Sequence, residues 1–428
     1  MGIVAILVLV LLVLGVPIGI ALSGSALAYV FFDPLLDPNV VFRAFFSFLS
    51  KYSLMAIPLF IFAGFLMERT GLVALLFRFA DALVGWLPGG FGIATILACV
   101  LFAAISGSSV AMAAAMSVIA IPEMLKRGYP PWIAGGLVAT SGGIAILIPP
   151  SIPLILFGIV TETSVVDLFF AGVIPGLLLA LANVAAIVWL AHRYKLARGT
   201  FDASKLWPAT LAAAPAFGMP VVILGGLYGG LFTPTEAAAA ACGYALVYGL
   251  ITRRGAFLRD LLPVLYRSLN LTAVILFLVG CVGVFQFLAA NLYWPQTITK
   301  TVSSWGLSTT GFIFAFIAME MVLGCFVDGV AMILLTVPVV YPVAEAMNIN
   351  LLHLAIMLTL TVEMSLVTPP VGLNLFAVSG VSKIPVAEVV KGSIPFFLTD
   401  ALVLLAVVFI PSLATWLPSV LVTSAFTK

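Results

Sequence analysis

Charged residues are scarce in this chain. Only 8% of its 428 residues are Asp, Glu, Lys or Arg, 64% are hydrophobic, and the mean hydropathy is +1.29. A soluble protein of this length has roughly 25% charged residues. The composition therefore excludes an ordinary soluble domain. The repeated long apolar runs predict an all-α polytopic membrane protein.

Residues for catalysis and metal binding are also few. The two histidines, His192 and His353, have no metal-binding partner at a useful spacing, and the four cysteines lie in apolar segments without paired spacing. The sequence has no HExxH or GxSxG motif and no phosphate-binding GxxxxGK[ST] loop. These absences argue against an enzyme, a zinc site, a disulfide framework and an ATP-driven pump.

Basic residues are distributed unevenly between the loops. Fourteen fall at loops that would share one side of the membrane and four at the other, so the positive-inside rule assigns the larger group to the cytoplasm. The larger group is Arg69, Arg78, Lys126, Arg127, Arg193, Lys195, Arg198, Lys205, Arg253, Arg254, Arg259, Arg267, Lys383 and Lys391. This assignment predicts a cytoplasmic N-terminus, a first span over 1–32, a periplasmic loop at 33–39 and a periplasmic C-terminus.

Double prolines interrupt two of the apolar runs, in "146-ILIPPSIPL-154" and "366-LVTPPVGLN-374". Adjacent prolines end a helix, and a membrane tolerates the freed backbone groups only where they line a cavity or bind something. Two further pairs of short apolar segments read as re-entrant hairpins. The sequence thus predicts hairpins at about 91–125 and 312–346, and broken helices at 131–160 and 350–381.

The halves of the chain resemble each other at a constant offset of 220 residues. The matching positions are Pro149-Pro150 with Pro369-Pro370, Ala111-Met112 with Ala331-Met332, Pro122 with Pro342, Gly172 with Gly392, and Ile174-Pro175 with Ile394-Pro395. The loop assignment places the copies upside down, which is typical of secondary transporters with a midplane site. We therefore expect a first inverted repeat over 1–191, a cytoplasmic linker over 192–211 and a second repeat over 212–428. A repeat of purely structural helices is the alternative.

Several stretches together resemble the large membrane (M) subunit of the tripartite ATP-independent periplasmic (TRAP) transporters. They are "SGSSVAMAAAM", "GIAILIPPSIPLILFGI", "GGLYGGLFTPTEAAA", "GCFVDGVAMILLTVPVVYPV" and "LVTPPVGLNLFAVSG". The resemblance implies an elevator-type ion transporter fold in a bacterial inner membrane. It also implies two separate partner chains, a small four-helix membrane subunit (Q type) and a periplasmic binding protein (P type) that delivers an organic acid.

The hairpin tips and helix breaks supply oxygen ligands that suit Na⁺, the expected coupling ion. The first sodium site would use Ser106, Ser108, Ala145, Ile148 and Pro150; the second would use Gly324, Cys325, Asp328, Ser365, Thr368 and Pro370. Small residues at these positions have an alternative role in close helix packing. Asp328, which aligns with Ser108, has an alternative role as a helix cap.

An organic acid would bind between the two tips. No arginine falls at either tip or either break, so the carboxylate would depend on uncharged hydrogen-bond donors. The candidate donors are Ser108, Ser109, Ser151 and Asn374. Glu236 is expected to cap the helix that begins after Pro234. Glu363 aligns with Gly143 and has no assigned role.

Two other functions stay open from the residues alone. Channels also use re-entrant loops, although two inverted hairpins with two broken helices fit alternating access better. A standalone Na⁺- or H⁺-coupled carboxylate symporter of the same fold would show the same periodicity. Only the family resemblance favours the three-component system.

Overall fold

The computed structural model describes residues 2–33, 36–196, 198–199 and 202–425, and these residues form α-helices joined by short turns. One 3₁₀ turn covers Tyr52–Met55. The helices are α1 (Gly2–Val13), α2 (Ile18–Phe32), α3 (Asn39–Leu49), α4 (Ala56–Thr70), α5 (Leu72–Val84), α6 (Gly90–Ser106), α7 (Ser109–Lys126), α8 (Pro131–Ser141), α9 (Ile144–Leu147), α10 (Ile152–Thr161), α11 (Val165–Tyr194), α12 (Ala203–Tyr228), α13 (Pro234–Asn291), α14 (Trp294–Ser304), α15 (Thr309–Gly324), α16 (Gly329–Ala346), α17 (Leu351–Leu366), α18 (Leu373–Ser382), α19 (Val386–Phe409) and α20 (Ser412–Ala425).

Eight helical segments of the described chain are long and apolar enough to cross a membrane. The described residues contain no β-strand. The expectation of an all-α polytopic membrane protein is therefore confirmed. Helix α20, which follows α19, was not predicted from the sequence.

The N-terminal segment differs from its prediction as a single span. Gly15 has a φ of 79° and Pro17 follows it, so the helix stops and the chain reverses between α1 and α2. Ile3 of α1 and Tyr29 of α2 consequently line the same cavity. Residues 2–32 form a helical hairpin, because the nearby Gly15 and Pro17 outweigh the continuous apolar composition.

Both proline-broken helices and both helical hairpins are present. Helices α6 and α7 form the first hairpin, and α8, α9 and α10 form the first broken helix; α15 and α16 with α17 and α18 repeat this order. Both Pro-Pro bonds, Pro149-Pro150 and Pro369-Pro370, are cis. The first broken helix has an additional interruption at 142–143, which the repeat pattern did not predict.

The two broken helices run in opposite directions. Gly135, near the start of the first, lies against Ile384, just past the end of the second. At the other end, Glu162 follows α10 and interacts electrostatically with Tyr341, in the helix that leads into the start of the second. The copies are therefore inverted relative to each other within the protein.

Helices of each repeat also pack on helices of the other repeat. Helix α10 of the first copy packs on α16 of the second, and α18 of the second packs on α7 of the first. We call α6–α11 with α15–α19 the hairpin unit. The repeated glycines permit its close packing: a Cβ at Gly172 would overlap the carbonyl of Leu147, and one at Gly392 would overlap that of Trp132.

The remaining long helices form a second group around α13, which we call the arm group. Helix α13 packs along α4, α3 and α2, and α12 packs on α5 and α13. The sequence also predicts separate spans at 234–251 and 270–290, joined by a basic arm over 253–267. The structure has two helical segments that meet in a kink at Arg254, where φ is 44° and ψ is −124°, and the basic arm itself is helical after this kink.

Candidate functional site

A cavity of about 310 Å³ lies where the two hairpin tips, the two helix breaks and α13 meet. Its wall combines Gly107, Ser108, Ser109, Val110, Ile146, Ile152, Pro153, Leu271, Val274, Ile275, Leu278, Asp328, Gly329, Val330, Val362, Leu366 and Leu373. Both halves of the hairpin unit and the arm group therefore contribute to one chamber, which has room for a small organic molecule.

The first tip touches its own helix break. Gly107 adopts a left-handed conformation with φ of 59°, and a Cβ there would lie 2.7 Å from the carbonyl oxygen of Pro150. The hydroxyl of Ser106 lies 3.4 Å from the carbonyl oxygen of Ser108 across the turn. The tip thus brings Ser106, Ser108 and Pro150 together, as the first sodium-site prediction requires. Ala145 and Ile148 flank the same break and are buried.

A small cavity of about 30 Å³ lies beside this tip. Ser106 and Ser108 line it from the hairpin, and Gly64 and Glu68 line it from α4. This volume is large enough for a water molecule or a small ion. The first tip therefore has space for a small guest next to two serine side chains.

The second tip has the corresponding arrangement. Gly324 packs directly on Ser365, so that a Cβ at Gly324 would overlap the serine hydroxyl. Thr368 lies one turn after Ser365, and Cys325 follows Gly324 with its thiol directed to the carbonyl of Met321. Pro370 is exposed in the break itself, whereas Pro150 is buried in the first one. The second break is therefore exposed at the surface of the protein, whereas the first is buried.

The hydroxyls of Ser365 and Thr368 can still accept a cation. Ser365 donates its hydroxyl proton to the carbonyl of Val362 at 2.7 Å, and Thr368 donates to the carbonyl of Met364 at 2.7 Å. A hydroxyl that donates its one hydrogen keeps its oxygen lone pairs available. Both oxygens therefore remain potential ligands of a hard cation.

Asp328 caps α16 and also lines the cavity. Its carboxylate accepts hydrogen bonds from the backbone N–H groups of Val330 at 2.9 Å and Ala331 at 3.2 Å. Ser108 occupies the equivalent N-cap position of α7, without a hydrogen bond from its side chain to the helix. The capping role considered for Asp328 is therefore present, and its position on the cavity wall is compatible with a second role.

The four residues proposed to contact a carboxylate do not all reach the cavity. Ser108 and Ser109 line it, and Asn374 lies directly behind, donating its amide to Ser109 Oγ at 2.7 Å and to the carbonyl of Ala139 at 3.1 Å. Ser151 is fully buried, where it donates to the carbonyl of Ile146 and caps α10. Ser151 therefore stabilises the break and is not part of the cavity lining.

The cavity wall contains no basic side chain, and Asp328 is its only acidic one. Instead, the first residues of α7, α16 and α18 lie on it. Helix N-termini carry partial positive charge and N–H groups without a helical partner, and α7 and α18 have no side-chain cap, whereas Asp328 caps α16. The site can thus compensate an anion through backbone dipoles, with or without a bound cation.

The capping prediction for Glu236 is confirmed. Thr233 and Glu236 form a reciprocal capping box at the start of α13, with Thr233 N–H donating to the carboxylate at 2.8 Å. Glu236 is exposed at this helix end. Its role in the structure is therefore to cap the start of α13.

The sequence interpretation missed a buried polar cluster of the hairpin unit. Glu363 of α17, Asp400 of α19 and Asn183 of α11 are all fully buried. Acidic residues inside long apolar runs are the signal that could have identified Asp400 as well as Glu363. Glu363 also packs directly on Gly143, its counterpart in the repeat.

Comparisons with known proteins agree with this architecture. The family model for the DctM component of the tripartite ATP-independent periplasmic transporter matches residues 5–413. The C4-dicarboxylate TRAP transporter large permease protein DctM of Vibrio cholerae is 36% identical, with 97% of each chain covered. The ectoine/5-hydroxyectoine large permease protein UehC of Ruegeria pomeroyi is 35% identical, with 96% of each covered.

A relative with a different named substrate is nearly as similar. The sialic acid large permease protein SiaM of Vibrio cholerae is 32% identical over 95% of this chain and 96% of its own. Among solved structures, the Alcanivorax borkumensis YdaH transporter matches with a TM-score of 0.61 and 14% identity, covering 88% of this chain and 87% of that one. That likeness concerns the fold. By the match of the family model and of these full-length relatives, the chain belongs to the family of TRAP transporter large permease proteins.

Proposed function

We propose that this protein is the permease subunit for Na⁺-coupled uptake of an organic carboxylate by an elevator mechanism. The observation that carries the proposal is the single cavity enclosed by both hairpin tips, both breaks and α13. Such a cavity at the meeting point of inverted repeats is where secondary transporters bind substrate and ion.

Na⁺ would bind on either side of this cavity. The first site uses the tip and break oxygens around Ser106, Ser108 and Pro150, next to the small cavity beside this tip. The second uses the hydroxyls of Ser365 and Thr368 with the carboxylate of Asp328. The bound cations would bring positive charge to a wall that has no basic side chain, so that substrate and ion bind together.

A carboxylate would bind against Ser108, Ser109 and the first turn of α7. Relatives are named for C4-dicarboxylates, sialic acid and ectoine, which differ in size and share a carboxylate. This range favours a common anchor for the acid group, with the choice among acids made largely by a periplasmic binding protein. A small four-helix membrane subunit would be the second partner.

In the elevator mechanism, the hairpin unit would move as a body against the arm group. The cavity is bounded by Leu271, Val274 and Leu278 of α13 on one side and by the tips on the other. These α13 side chains are apolar, so a sliding unit would break few polar contacts with them. Pro370 is exposed and Pro150 is buried, as expected of one end state in which only one break is open.

The direct test is uptake into proteoliposomes that contain this chain with its small membrane subunit and its binding protein. Radiolabelled succinate, sialic acid and ectoine serve as probes, and an inward Na⁺ gradient is imposed. We expect accumulation of one of these acids that requires the Na⁺ gradient and both partners. Omitting each component in turn provides the matched controls.

One outcome would overturn the proposal. Accumulation by this chain alone, driven by a proton gradient in buffer without Na⁺, would identify a standalone symporter of the same fold. The three-component reading would then apply only to its relatives.

A further inference from the structure

A fully buried amide connects the two repeats behind the transport cavity. Asn374, in the first turn of α18, has a relative exposure of 0%. Its Nδ2 donates to Ser109 Oγ, at the start of α7, at 2.7 Å, and to the carbonyl oxygen of Ala139, in α8, at 3.1 Å. One side chain of the second repeat therefore bonds to both the first tip and the first broken helix.

The bond to Ala139 follows from the interruption at 142–143. There the N–H of Gly143 bonds to the carbonyl of Thr140, so that the carbonyl of Ala139 loses the donor that a continuous helix would give it. Buried backbone carbonyls are nearly always paired. The amide of Asn374 supplies the missing donor, and this part of its role is structural.

The Ala139 carbonyl also determines which way the amide points. A backbone carbonyl oxygen only accepts hydrogen bonds, so the amide atom beside it must be the nitrogen. The same nitrogen faces Ser109, and Ser109 Oγ must therefore accept. Among the described residues this is the only hydrogen bond of Ser109 Oγ. The single proton of the hydroxyl consequently remains for an acceptor in the cavity, which Ser109 lines.

A purely structural role does not account for asparagine at this position. Asn374 Oδ1 has no hydrogen-bond partner among the residues that the structure describes, although the side chain is fully buried. An unpaired buried acceptor is destabilising. Pairing the Ala139 carbonyl thus leaves an equal deficit in the asparagine itself. The bond to Ser109 is the contact that remains to be explained.

The arrangement is confined to one of the two repeats. At the offset of 220 residues, Asn374 aligns with Leu154 and Ser109 aligns with Gly329. Neither counterpart has a side-chain hydrogen-bonding group, so the second tip cannot form the same bond. The carboxylate of Asp328 lies on the cavity wall there instead. The cavity therefore has a hydroxyl donor at the first tip and an acid at the second.

We propose that Asn374 is a positioning residue, which acts through Ser109 to bind the substrate carboxylate at the first tip. The amide holds Ser109 Oγ as an acceptor, and the hydroxyl proton is thereby directed to the carboxylate. A hydroxyl that accepts one hydrogen bond also donates a stronger one. The rest of the acid would extend away from this tip, toward Asp328 and α13. This inference rests on the proposed uptake of a carboxylate.

Uptake by the complete three-component system tests the link between the two residues. The probes are radiolabelled succinate, sialic acid and ectoine. Ser109→Ala and Asn374→Leu should each lower the initial uptake rate about tenfold, as expected for loss of one hydrogen bond to a charged group. The double variant should be no slower than Ser109→Ala alone, because Asn374 acts through this hydroxyl. Losses that multiply in the double variant, or a wild-type rate in Asn374→Leu, would overturn the proposal.

A second measurement needs no substrate. Ser109→Cys places a thiol at the same position in the full chain, where methyl methanethiosulfonate reacts with its thiolate. Because a hydrogen bond from Asn374 favours the thiolate, adding Asn374→Leu should slow this labelling several-fold at neutral pH. The difference should disappear in alkaline buffer, whereas a mere displacement of the thiol would slow labelling at every pH.

Ser108→Cys is the matched control, because Ser108 lines the same cavity and Asn374 donates to Ser109 instead. Asn374→Leu should leave its labelling unchanged, and the four buried native cysteines should add little background. A Ser109→Cys thiol that does not react, or that reacts equally with and without Asn374→Leu, would overturn the proposal. The expected labelling without uptake of any of the three acids would support the contact and count against the proposed function.

Discussion

At the residue scale, Asp328 has two functions to separate. It caps α16 through two backbone N–H groups, and it also lines the cavity next to the proposed second sodium site. Loss of an N-cap costs about 1 kcal/mol of stability, which is a modest effect for a protein of this size. A much larger loss of transport would therefore require a role beyond the cap.

The variant Asp328→Asn distinguishes these roles, because asparagine keeps the capping oxygen and removes the charge. We expect the Na⁺ concentration for half-maximal uptake to rise about tenfold or more, equivalent to about 1.4 kcal/mol of cation binding. Thermal unfolding should change little. Measurement of Na⁺-dependent uptake and of unfolding temperature on the same preparations checks this prediction.

Ser308→Asn is a suitable control, because Ser308 caps α15 in the same hairpin with a side chain that accepts from Gly311. This variant alters a helix cap that does not line the cavity. If Asp328→Asn keeps the wild-type Na⁺ dependence, Asp328 is a helix cap only.

The element scale concerns how a hairpin tip meets a break. Gly107 combines a left-handed backbone with a carbonyl 2.7 Å from where a Cβ would be. Gly128 is also left-handed, with φ of 80°, but has open space around its Cβ position. Both glycines therefore have a left-handed backbone, but only Gly107 has a neighbouring atom close to its Cβ position.

Gly107→Ala should lower both the unfolding temperature and the uptake rate more than Gly128→Ala does. Each variant incurs the left-handed backbone cost of about 1–2 kcal/mol, and only Gly107→Ala also displaces the Pro150 carbonyl. Paired thermal-unfolding and uptake measurements on the two variants provide the test. Equal effects of the two substitutions would show that the contact between tip and break is unimportant.

Sequence reasoning located these elements because their signals are local. Adjacent prolines end a helix here, whereas single prolines such as Pro175 and Pro395 lie inside helices. The breaks at 149–150 and 369–370 were therefore predictable, as was the capping role of Glu236. The N-terminal hairpin was misread because its apolar composition resembles one span. The helical conformation of the basic arm was missed because a basic segment reads as a loop, whereas its backbone is helical on both sides of the kink at Arg254.

The site was also predictable in part, because the internal repeat is visible in the sequence. The repeat identified both tips and both breaks, and the structure brings them to one cavity. The sequence could not show that Asn183 and Asp400 lie together, because this contact joins two helices more than 200 residues apart in the chain. Such contacts are set by the packing of distant helices, which the hydrophobic periodicity of the sequence does not reveal.

At the scale of the whole molecule, the two ends of the hairpin unit differ in chemistry. At one end, Trp132 lies under Lys391 and against Tyr194, next to the basic segment that follows α11. At the other, Lys51 pairs with Glu162 at 3.2 Å. We propose that the end with Lys391 faces the cytoplasm and that the C-terminus lies on the periplasmic side.

The N-terminal hairpin modifies the expected topology. The start of α1 lies beside the end of α2, so a cytoplasmic N-terminus and a periplasmic loop at 33–39 do not fit together. The basic residues of the hairpin unit still determine the orientation of the protein. The orientation of the N-terminal hairpin, α1 with α2, is then set relative to the hairpin unit.

Single-cysteine labelling tests this orientation. In intact cells with a permeabilised outer membrane, a membrane-impermeant maleimide should label Glu162→Cys and should label Lys391→Cys only after the inner membrane is opened. The four native cysteines are buried, so their background reaction should be low. The reverse labelling pattern would invert the assignment.

The contact between Gly143 and Glu363 has a consequence for how such a chain can arise by duplication. The two positions are equivalent in the repeats, yet they meet, and one side chain fills the space that both would occupy. Two identical halves would place either two carboxylates or two vacant positions at that point. A gene fusion that restores perfect identity between the halves should therefore fold poorly, since divergence at this pair is a condition for joining them.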